Sequence, residues 1–457
     1  MNRFKSIAYD KEIIIVLSYL AGMLILPGMV YAVMAHLLFL VFTEGNEWYL
    51  KSILYAILLK FLNPVFGSFD KNVYYVFIFI LFLSVVFKIF RKKSIIIDSF
   101  EKKFYLLLLL FYTTTFIGSF YIDLSIIKLT VYFMIVFTVF QSVYLAKNFD
   151  FILFLINLLY LYVWLSLPMI FLPEGYFVNG LFMGITQHSQ SIGIVLTPIF
   201  TLFVVLFLQR QIAQNFFNLS TILLGLLELY LSGSRTASFA ILGAFLLYVA
   251  VNGIFTSAYL KKYLIALLFL LIGSTVFYSF ASDTIDKKIS TFVYKSYNLG
   301  EVHYGNIQEM LGKRGFLIKT SIDNFLKHPW TGIGFNVQTA YADPRDAYVE
   351  RLKYIQGTHI MYDKPLEKGN LYAAVFEEGG VITGLYFLYI LVFLFFALFK
   401  NKIVFGWVTV LSIFISFNGE TALFSPGGVG PYQLAILAIL FSLIDINKNS
   451  QYLPKRA

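Results

Sequence analysis

The chain has 457 residues, of which 59% are hydrophobic and only 13% are charged, and its net charge is +10. A soluble globular chain carries about 25% charged residues, so this chain lacks the polar side chains to cover a surface in water. Cysteine is absent, which excludes disulfides and thiolate metal sites. The positive charge is spread over the segments between apolar runs, so we expect no nucleic-acid partner. These values indicate an all-α polytopic membrane protein.

Apolar runs close to the roughly 20 residues that a transmembrane helix needs recur along almost the whole chain. We predict about twelve transmembrane helices, at residues 12–42, 74–90, 104–121, 124–146, 150–172, 190–209, 217–232, 236–253, 262–280, 371–398, 403–417 and 431–445. The first is long enough to bend at Pro27. Lys51, Lys60 and Asn63 interrupt the segment 48–68, so we expect that segment to lie along the membrane surface.

The distribution of basic residues predicts the orientation. With a cytoplasmic amino terminus, the Lys- and Arg-rich connections fall on the cytoplasmic side, as the positive-inside rule requires. The short outer connections at 122–123, 173–189 and 233–235 then contain a single basic residue, Arg235. Counting 48–68 as a further span would reverse this arrangement. We therefore expect both termini in the cytoplasm.

A long hydrophilic segment separates the ninth and tenth spans. The chain is thus predicted to consist of transmembrane helices at 1–280, an extracytoplasmic loop domain at 281–370, and three more helices with a cytoplasmic tail at 371–457. A loop of this length usually has a function of its own. Apolar residues from Ile307 to Phe325 recur at helical spacing, and we expect that helix to end near His328-Pro329.

Two arginines stand out because of their apolar surroundings. Arg235 begins an apolar helix after Ser232 and Ser234, whose hydroxyls could cap that helix. A guanidinium beside free helix N–H groups is suited to phosphate, although an arginine at a span boundary can instead reach into the lipid headgroups. Arg314 falls on the apolar stripe of the loop helix, provided that Gly312 and Gly315 do not interrupt it. There it would need a carboxylate or a bound anion.

Carboxylates also occur near the ends of apolar spans, where charge is costly and usually functional. Glu377 and Glu378 lie about two turns into the tenth span, and Glu420 follows the eleventh. The structural alternative is that Glu377 and Glu378 pair with Lys368 or an arginine and so hold the loop in place. In the predicted topology four polar segments meet at the outer face beneath the loop, namely Gln187–Gln190, Arg235, Glu367–Asn370 and Pro426–Pro431.

Three short pieces of the chain, in this order, resemble the O-antigen ligase and Wzy-type polysaccharide polymerase superfamily. They are Ser234-Arg-Thr-Ala237, Arg314 followed by His328-Pro-Trp-Thr-Gly-Ile-Gly334, and Asn370 followed by Glu378-x-Gly380. Each piece is short, but as a set they are specific. The resemblance covers roughly residues 180–430.

The resemblance implies a glycosyltransferase that needs no metal or cofactor. Members of this superfamily take a glycan from undecaprenyl diphosphate at the outer face of the bacterial inner membrane and transfer it to an acceptor hydroxyl. In such enzymes two arginines are thought to engage the donor diphosphate, and the matching residues here are Arg235 and Arg314. Further substrate contacts are predicted at Gln187, His188, Lys368, Asn370, Glu378 and Glu420. A flippase and a chain-length regulator are the implied protein partners.

One position departs from the ligase pattern. Ligases commonly carry histidine just before the asparagine that opens the span after the loop, and here that residue is Gly369. The form Glu367-Lys-Gly-Asn370 is more similar to exopolysaccharide or O-unit polymerases. Glu367 is the first candidate for the catalytic base and His359 is the second. We therefore expect a polymerase that joins lipid-linked repeat units. The alternatives are a ligase acting on lipid A core or protein and, from another class, a flippase or transporter of lipid-linked glycans.

Overall fold

The structure is a computed structural model that describes residues 11–26, 28–66, 71–92, 97–119, 121–147, 149–177, 180–251, 307–337, 368–419 and 422–451. Within these ranges the regular secondary structure is helical, apart from two isolated β-bridges. The α-helices are α1 (Lys11–Ile25), α2 (Met29–Thr43), α3 (Glu47–Lys60), α4 (Lys71–Lys92), α5 (Ser99–Gly118), α6 (Ile122–Leu145), α7 (Phe151–Ser166), α8 (Ser189–Leu208), α9 (Phe216–Leu231), α10 (Arg235–Val251), α11 (Ile307–Lys327), α12 (Leu371–Lys400), α13 (Val404–Ser416) and α14 (Gly430–Gln451).

The helices have the length and composition of a multi-pass membrane protein. In the described part of the chain, five stretches are long and apolar enough to cross a bilayer, namely Asn72–Arg91, Ile122–Leu145, Phe151–Phe171, Ser189–Leu208 and Leu371–Lys400. Several further apolar helices are shorter, among them α2, α9, α10 and α13. The predicted polytopic helical class is therefore confirmed. The predicted span at 262–280 lies outside the described residues.

The prediction of a surface segment at 48–68 is wrong. Residues Trp48–Ile57 of α3 are all buried, and this helix packs against α2, α4, α6 and α14. The polar residues that argued for the surface have partners inside the protein. The Lys51 ammonium lies 4.0 Å from the centre of the Phe149 ring, a cation–π contact that makes its burial tolerable. The Asn63 amide donates to the carbonyls of Glu174 and Gly184, at 2.7 and 3.0 Å.

Two predicted spans are each divided in the structure. The run 12–42 forms two helices, α1 and α2, which end and begin on either side of Pro27. The run 371–398 forms α12, but Gly380 within it has φ 72° and ψ −175°, which is not helical. A φ of this sign is unfavourable for residues with a Cβ and accessible to glycine. The sequence predicts one continuous helix there, whereas the structure contains a break.

The loop helix has the predicted extent. α11 runs without interruption from Ile307 to Lys327 and ends before His328-Pro329. Arg314 therefore belongs to one continuous helix, although Gly312 and Gly315 lie next to it. Phe325 contacts Phe376 of α12, with ring centres 5.5 Å apart. The carboxyl-terminal half of α11 is thus packed on the first part of α12.

A cluster of aromatic rings fixes the chain that follows α11. Phe335 is fully buried, and its ring lies 5.1 Å from Phe111 of α5 and 5.8 Å from Tyr132 of α6. Phe424, in the segment before α14, contacts these same rings and Phe387 of α12. Each such pair adds about 0.5–1.5 kcal/mol beyond the area that it buries. The cluster therefore holds three helices and two connecting segments in one place.

Candidate functional site

The turn after α11 is bound to the break in α12. We call residues His328–Phe335 the docked turn. In a regular helix the Glu377 carbonyl would accept a hydrogen bond from the Val381 amide. Here the Val381 amide donates to Pro329 instead, at 2.8 Å, and the Ile333 and Gly334 amides donate to the carbonyls of Glu377 and Glu378, at 2.8 and 3.1 Å. The turn thus satisfies backbone groups that the break at Gly380 leaves without helical partners.

A buried ionic group lies directly beside the docked turn. Lys368 Nζ is 3.1 Å from Glu377 Oε2 and 2.9 Å from Glu378 Oε1. The Asn324 amide of α11 donates to Glu377 Oε1 at 2.7 Å. All four residues are buried. We call them the Lys368 cluster, and the ion pairing that was the structural alternative for the two glutamates is confirmed.

The charge of Lys368 is stabilised inside this cluster. Burial lowers the pKa of its ammonium, but the carboxylates of Glu377 and Glu378 outweigh that effect, and together they raise the pKa above its usual value. The lysine is therefore charged at neutral pH. A buried pair of this kind is costly to break, because the remaining partner is left without its counter-charge.

A cavity of about 550 Å³ opens next to the Lys368 cluster. Its wall contains Lys368 and Glu378 themselves, and it also contains residues from the amino-terminal ends of α8 and α12. The segment Pro426–Val429 forms another part of the wall, just before α14 begins. Helix amino termini carry partial positive charge, so these ends favour an anion. The cavity has the size of a small-ligand site.

Two further lysines line the cavity, and we call them the cavity lysines. Lys60, the last residue of α3, donates to the Gly427 carbonyl at 2.5 Å and lies 4.2 Å from the centre of the Tyr74 ring. Lys128, in the first turns of α6, donates to the Asn336 carbonyl at 2.7 Å. An ammonium has three N–H donors. Lys60 and Lys128 are each half-buried, so water or a ligand in the cavity can reach them.

His188 lines the same cavity and begins α8. Its Nδ1 accepts a hydrogen bond from the Gln190 amide at 3.1 Å, and its ring lies 4.8 Å from that of Phe177. Since Nδ1 is an acceptor, the neutral ring carries its proton on Nε2 and can donate from there. His188 is therefore a helix cap that also offers a hydrogen-bond donor.

The structure brings together three of the four polar segments that were predicted to meet. His188 and Gln190, Lys368, and Pro426–Val429 share one cavity wall. Arg235 lies beside this wall rather than on it. It is half-buried at the start of α10, and the preceding Ser234 packs against Gly193 of α8, next to the cavity residue Ile194.

The α9–α10 turn is arranged differently from the predicted cap. The Ser232 hydroxyl accepts from the Ser234 amide at 3.3 Å and donates to the Leu229 carbonyl at 2.9 Å. It therefore closes the turn before α10. Arg235 remains the first helical residue of α10.

The other predicted site residues fall into two groups. Gln187 is exposed and does not line the cavity, while Asn370 caps α12 by accepting from the Ala373 amide at 3.0 Å. The side chain of Arg314 lies outside the described residues, as do Glu367, His359 and Glu420. Gly369 has φ 73°, a conformation that favours glycine, so this position does not readily accept the histidine found in ligases.

The site contains two residues that sequence reasoning missed. In the sequence, Lys60 interrupts the segment predicted at the membrane surface, and Lys128 lies within the fourth predicted span. Lysine inside an apolar span is rare and usually functional, so Lys128 carried a signal that could have been used. The position of Lys60 had no comparable signal, because its carbonyl partner Gly427 is 367 residues away in the chain.

Comparison with known families gives one match. Residues 219–388 match the family model described as O-antigen ligase. The match runs from α9 to beyond the break in α12, and so includes Arg235, the docked turn and the Lys368 cluster. No curated protein matches the chain. The resemblance inferred from the three motifs is confirmed, and the region from α9 into α12 is similar to the O-antigen ligase family.

Proposed function

We propose that the protein is a polysaccharide polymerase, which transfers a glycan from undecaprenyl diphosphate to a hydroxyl of another lipid-linked repeat unit. The match of residues 219–388 to the O-antigen ligase model supports glycan transfer in a membrane. The observation that carries the proposal is the cavity of about 550 Å³, where the cavity lysines and the ends of two helices face one space. A diphosphate is the ligand that this wall fits best.

The cavity lysines supply the positive charge that a diphosphate needs. Lys368 shares its charge with two carboxylates, so it offers little net attraction. In the wall, Lys60 donates to a carbonyl oxygen and lies over two aromatic rings, and Lys128 donates to a carbonyl oxygen. At an effective dielectric constant of about 20, a unit charge about 4 Å away contributes about 4 kcal/mol before desolvation. We propose that Arg235 and Arg314 complete this anion site from the side of α10 and α11.

The reaction needs charge stabilisation more than it needs a strong nucleophile. The acceptor oxygen forms a bond to the anomeric carbon, and the bond from that carbon to the diphosphate oxygen breaks. The leaving diphosphate keeps the electron pair, and cations placed beforehand stabilise it as its charge grows. The cavity also holds both glycans close together, and this proximity lowers the barrier to the reaction. His188 can orient a sugar hydroxyl or a phosphate oxygen from Nε2.

The proton of the acceptor hydroxyl passes to a general base. We propose Glu367 for this role, with His359 as the second candidate. Glu367 directly precedes Lys368, whose ammonium is held at the cavity wall. The conformation of Gly369 supports a base other than the ligase histidine.

The proposed setting is the inner membrane of a bacterium. We propose about twelve transmembrane helices, both termini in the cytoplasm, and a loop domain at 281–370 over the cavity on the periplasmic side. The buried α3 adds no span to this count. A further span at 48–68 would reverse the distribution of Lys and Arg between the two sides of the membrane. A flippase would deliver the substrates, and a chain-length regulator would act on the same site.

The arginines give the test of the proposed anion site. We expect that Arg235→Ala and Arg314→Ala each abolish polymer formation in cells whose own copy of the gene is deleted, with normal amounts of protein in the membrane. Arg235→Lys should also impair synthesis, because an ammonium cannot form the two parallel hydrogen bonds of a guanidinium. Normal chain lengths in both alanine variants would refute the diphosphate site.

A polymerase and a ligase can be distinguished by the acceptor that the reaction requires. Purified protein incubated with lipid-linked repeat units alone should produce polymer. Product that appears only when a lipid A core or protein acceptor is added would show a ligase instead. Substrate-dependent flux through liposomes without a covalent product would show a transporter.

A further inference from the structure

An exposed apolar surface on α11 and the docked turn has no role in the proposed reaction. Ile322, Leu326 and Trp330 are 46%, 66% and 69% exposed. The opposite face of α11 is packed on α12 through Asn324 and Phe325. Large apolar side chains exposed together mark a binding surface rather than ordinary solvent contact. We call these three residues the apolar edge.

The neighbouring helix shows where lipid begins. From Leu371 to Gly380, all of which the structure describes, no residue of α12 is exposed. After the break, exposed apolar side chains recur at helical spacing at Ile382, Leu385, Tyr389, Val392 and Phe396. Residues 381–400 amount to about 20, the number that crosses a hydrocarbon core. The bilayer therefore begins close to Gly380, and the first part of α12 stands above it.

The docked turn holds the apolar edge at that same level. The Pro329 carbonyl accepts from the Val381 amide at 2.8 Å, so Trp330 is bound next to the start of the lipid-facing part of α12. Tryptophan is enriched at the membrane–water interface. On α11, Ile322 and Leu326 lie one turn apart, and the charged residues Asp323 and Lys327 occupy the adjacent exposed flank.

We infer that the apolar edge is inserted into the outer surface of the lipid bilayer, so that α11 is a membrane-anchored helix. An apolar strip beside a charged flank is the pattern of helices that lie in the interface plane. The lysine stem of Lys327 can follow the apolar surface while its ammonium stays in the headgroup layer. This placement is independent of the reaction. It puts the Lys368 cluster and the neighbouring cavity wall just above the hydrocarbon core.

The absence of cysteine from the whole chain permits a direct test. Single variants Leu326→Cys and Ile322→Cys are labelled with a nitroxide in full-length protein in lipid nanodiscs. Asp323→Cys and Lys327→Cys are the matched controls on the adjacent flank, and Ile382→Cys is the lipid reference. Collision rates are measured with oxygen, which concentrates in lipid, and with a water-soluble nickel chelate.

We expect the oxygen-to-chelate ratio at Leu326→Cys to resemble that at Ile382→Cys and to exceed that at Lys327→Cys several-fold. A ratio at 326 equal to that at 323 and 327 would overturn the inference. So would low collision rates with both reagents, because these would show that protein covers the edge. If Leu326→Cys does not fold, Ile322→Cys gives the same distinction. The labels report position, so an inactive variant remains informative.

Discussion

Lys368 and Lys128 line the same cavity but have different surroundings. Lys368 is buried and touches two carboxylates, at 3.1 and 2.9 Å. Lys128 is half-buried and donates to a backbone carbonyl at 2.7 Å. The first lysine has its charge matched by acids of its own chain. The second brings positive charge to a space large enough for a ligand.

The difference separates charges that maintain the fold from charges that serve a substrate. The Lys368 cluster ties α11 to α12 and fixes the break on which the docked turn rests. Its removal should mainly cost stability. The cavity lysines donate to backbone carbonyls and line a space open to a ligand, so their removal should mainly cost activity. Four substitutions, each with a control, test this contrast.

Lys368→Met should have the largest effect, on stability. It removes the ammonium that Glu377 and Glu378 share while keeping the apolar stem. Breaking a buried pair by removing one partner costs about 3–5 kcal/mol. Because the folded pKa of Lys368 is raised, its stabilisation is fully present at neutral pH and is lost only as the pH rises through that raised value. Thermal unfolding of the purified protein in detergent measures the loss.

The matched control is Lys102→Met, at an exposed lysine near the start of α5. It should leave the unfolding temperature unchanged. If both methionine variants unfold alike, the Lys368 cluster does not hold the fold, and the contrast with the cavity lysines fails.

Gly380→Ala should have the second largest effect, because it strains the backbone at the break in α12. At φ 72° and ψ −175°, a region that essentially only glycine adopts, an alanine costs about 1–3 kcal/mol, and its Cβ would in addition overlap the Trp330 carbonyl. The docked turn should separate from α12, and amide exchange of Ile333 and Gly334 should accelerate. Gly28→Ala is the control, since that glycine has φ −65° and open space around it. Unchanged protection of the two amides in Gly380→Ala would show that the turn does not depend on the break.

The docked turn and the break at Gly380 show how much of this region can be predicted from the sequence. The helix of α11, its end at His328 and the pairing of Lys368 with the two glutamates all follow from local spacing and charge, and each is present. The break at Gly380 was missed because Glu377-Glu378-Gly-Gly380 lies in an otherwise continuous apolar run. What stabilises the break is the docked turn, about 50 residues earlier in the chain, and no local pattern reveals that contact.

The cavity and its lysines show the same limit of prediction from the sequence. Its general position was predictable, because the helix starts and the segment before α14 were expected at one level. Lys128 carried a signal as a lysine within an apolar span, but the places of Lys128 and Lys60 in the wall depend on the packing of α3 and α6. Burial of α3 also contradicted its assignment to the surface, since cation–π and carbonyl contacts neutralise the cost of its lysines. Which face of a span meets its neighbours depends on tertiary packing.

Lys128→Gln should affect activity with little effect on stability. The amide can still donate to the Asn336 carbonyl, but the positive charge is gone. We expect kcat/KM for the lipid-linked donor to fall by about tenfold or more, which corresponds to about 1.4 kcal/mol. Lys128→Arg should keep most of the activity.

Lys103→Gln is the matched control for charge, because the Lys103 ammonium lies over the Tyr389 and Phe393 rings and does not line the cavity. Its activity should equal that of the unmodified protein. Full activity in Lys128→Gln would remove the cavity lysines from the anion site and leave the arginines to account for it.

Asn370→Ala should have the smallest effect. It tests whether Asn370, a predicted substrate contact, stabilises the fold or contacts the substrate. Asn370 Oδ1 accepts from the Ala373 amide at 3.0 Å, and its Nδ2 donates to the Asn418 carbonyl at 3.3 Å. Since both ends of the amide have partners in the protein, we expect the loss of a helix cap, about 1 kcal/mol, with the activity of the folded protein retained. Asn215→Ala removes the corresponding cap of α9 and should cost as much stability. If Asn370→Ala loses activity that Asn215→Ala keeps at equal stability, Asn370 contacts the substrate, and one residue then serves both the fold and the reaction.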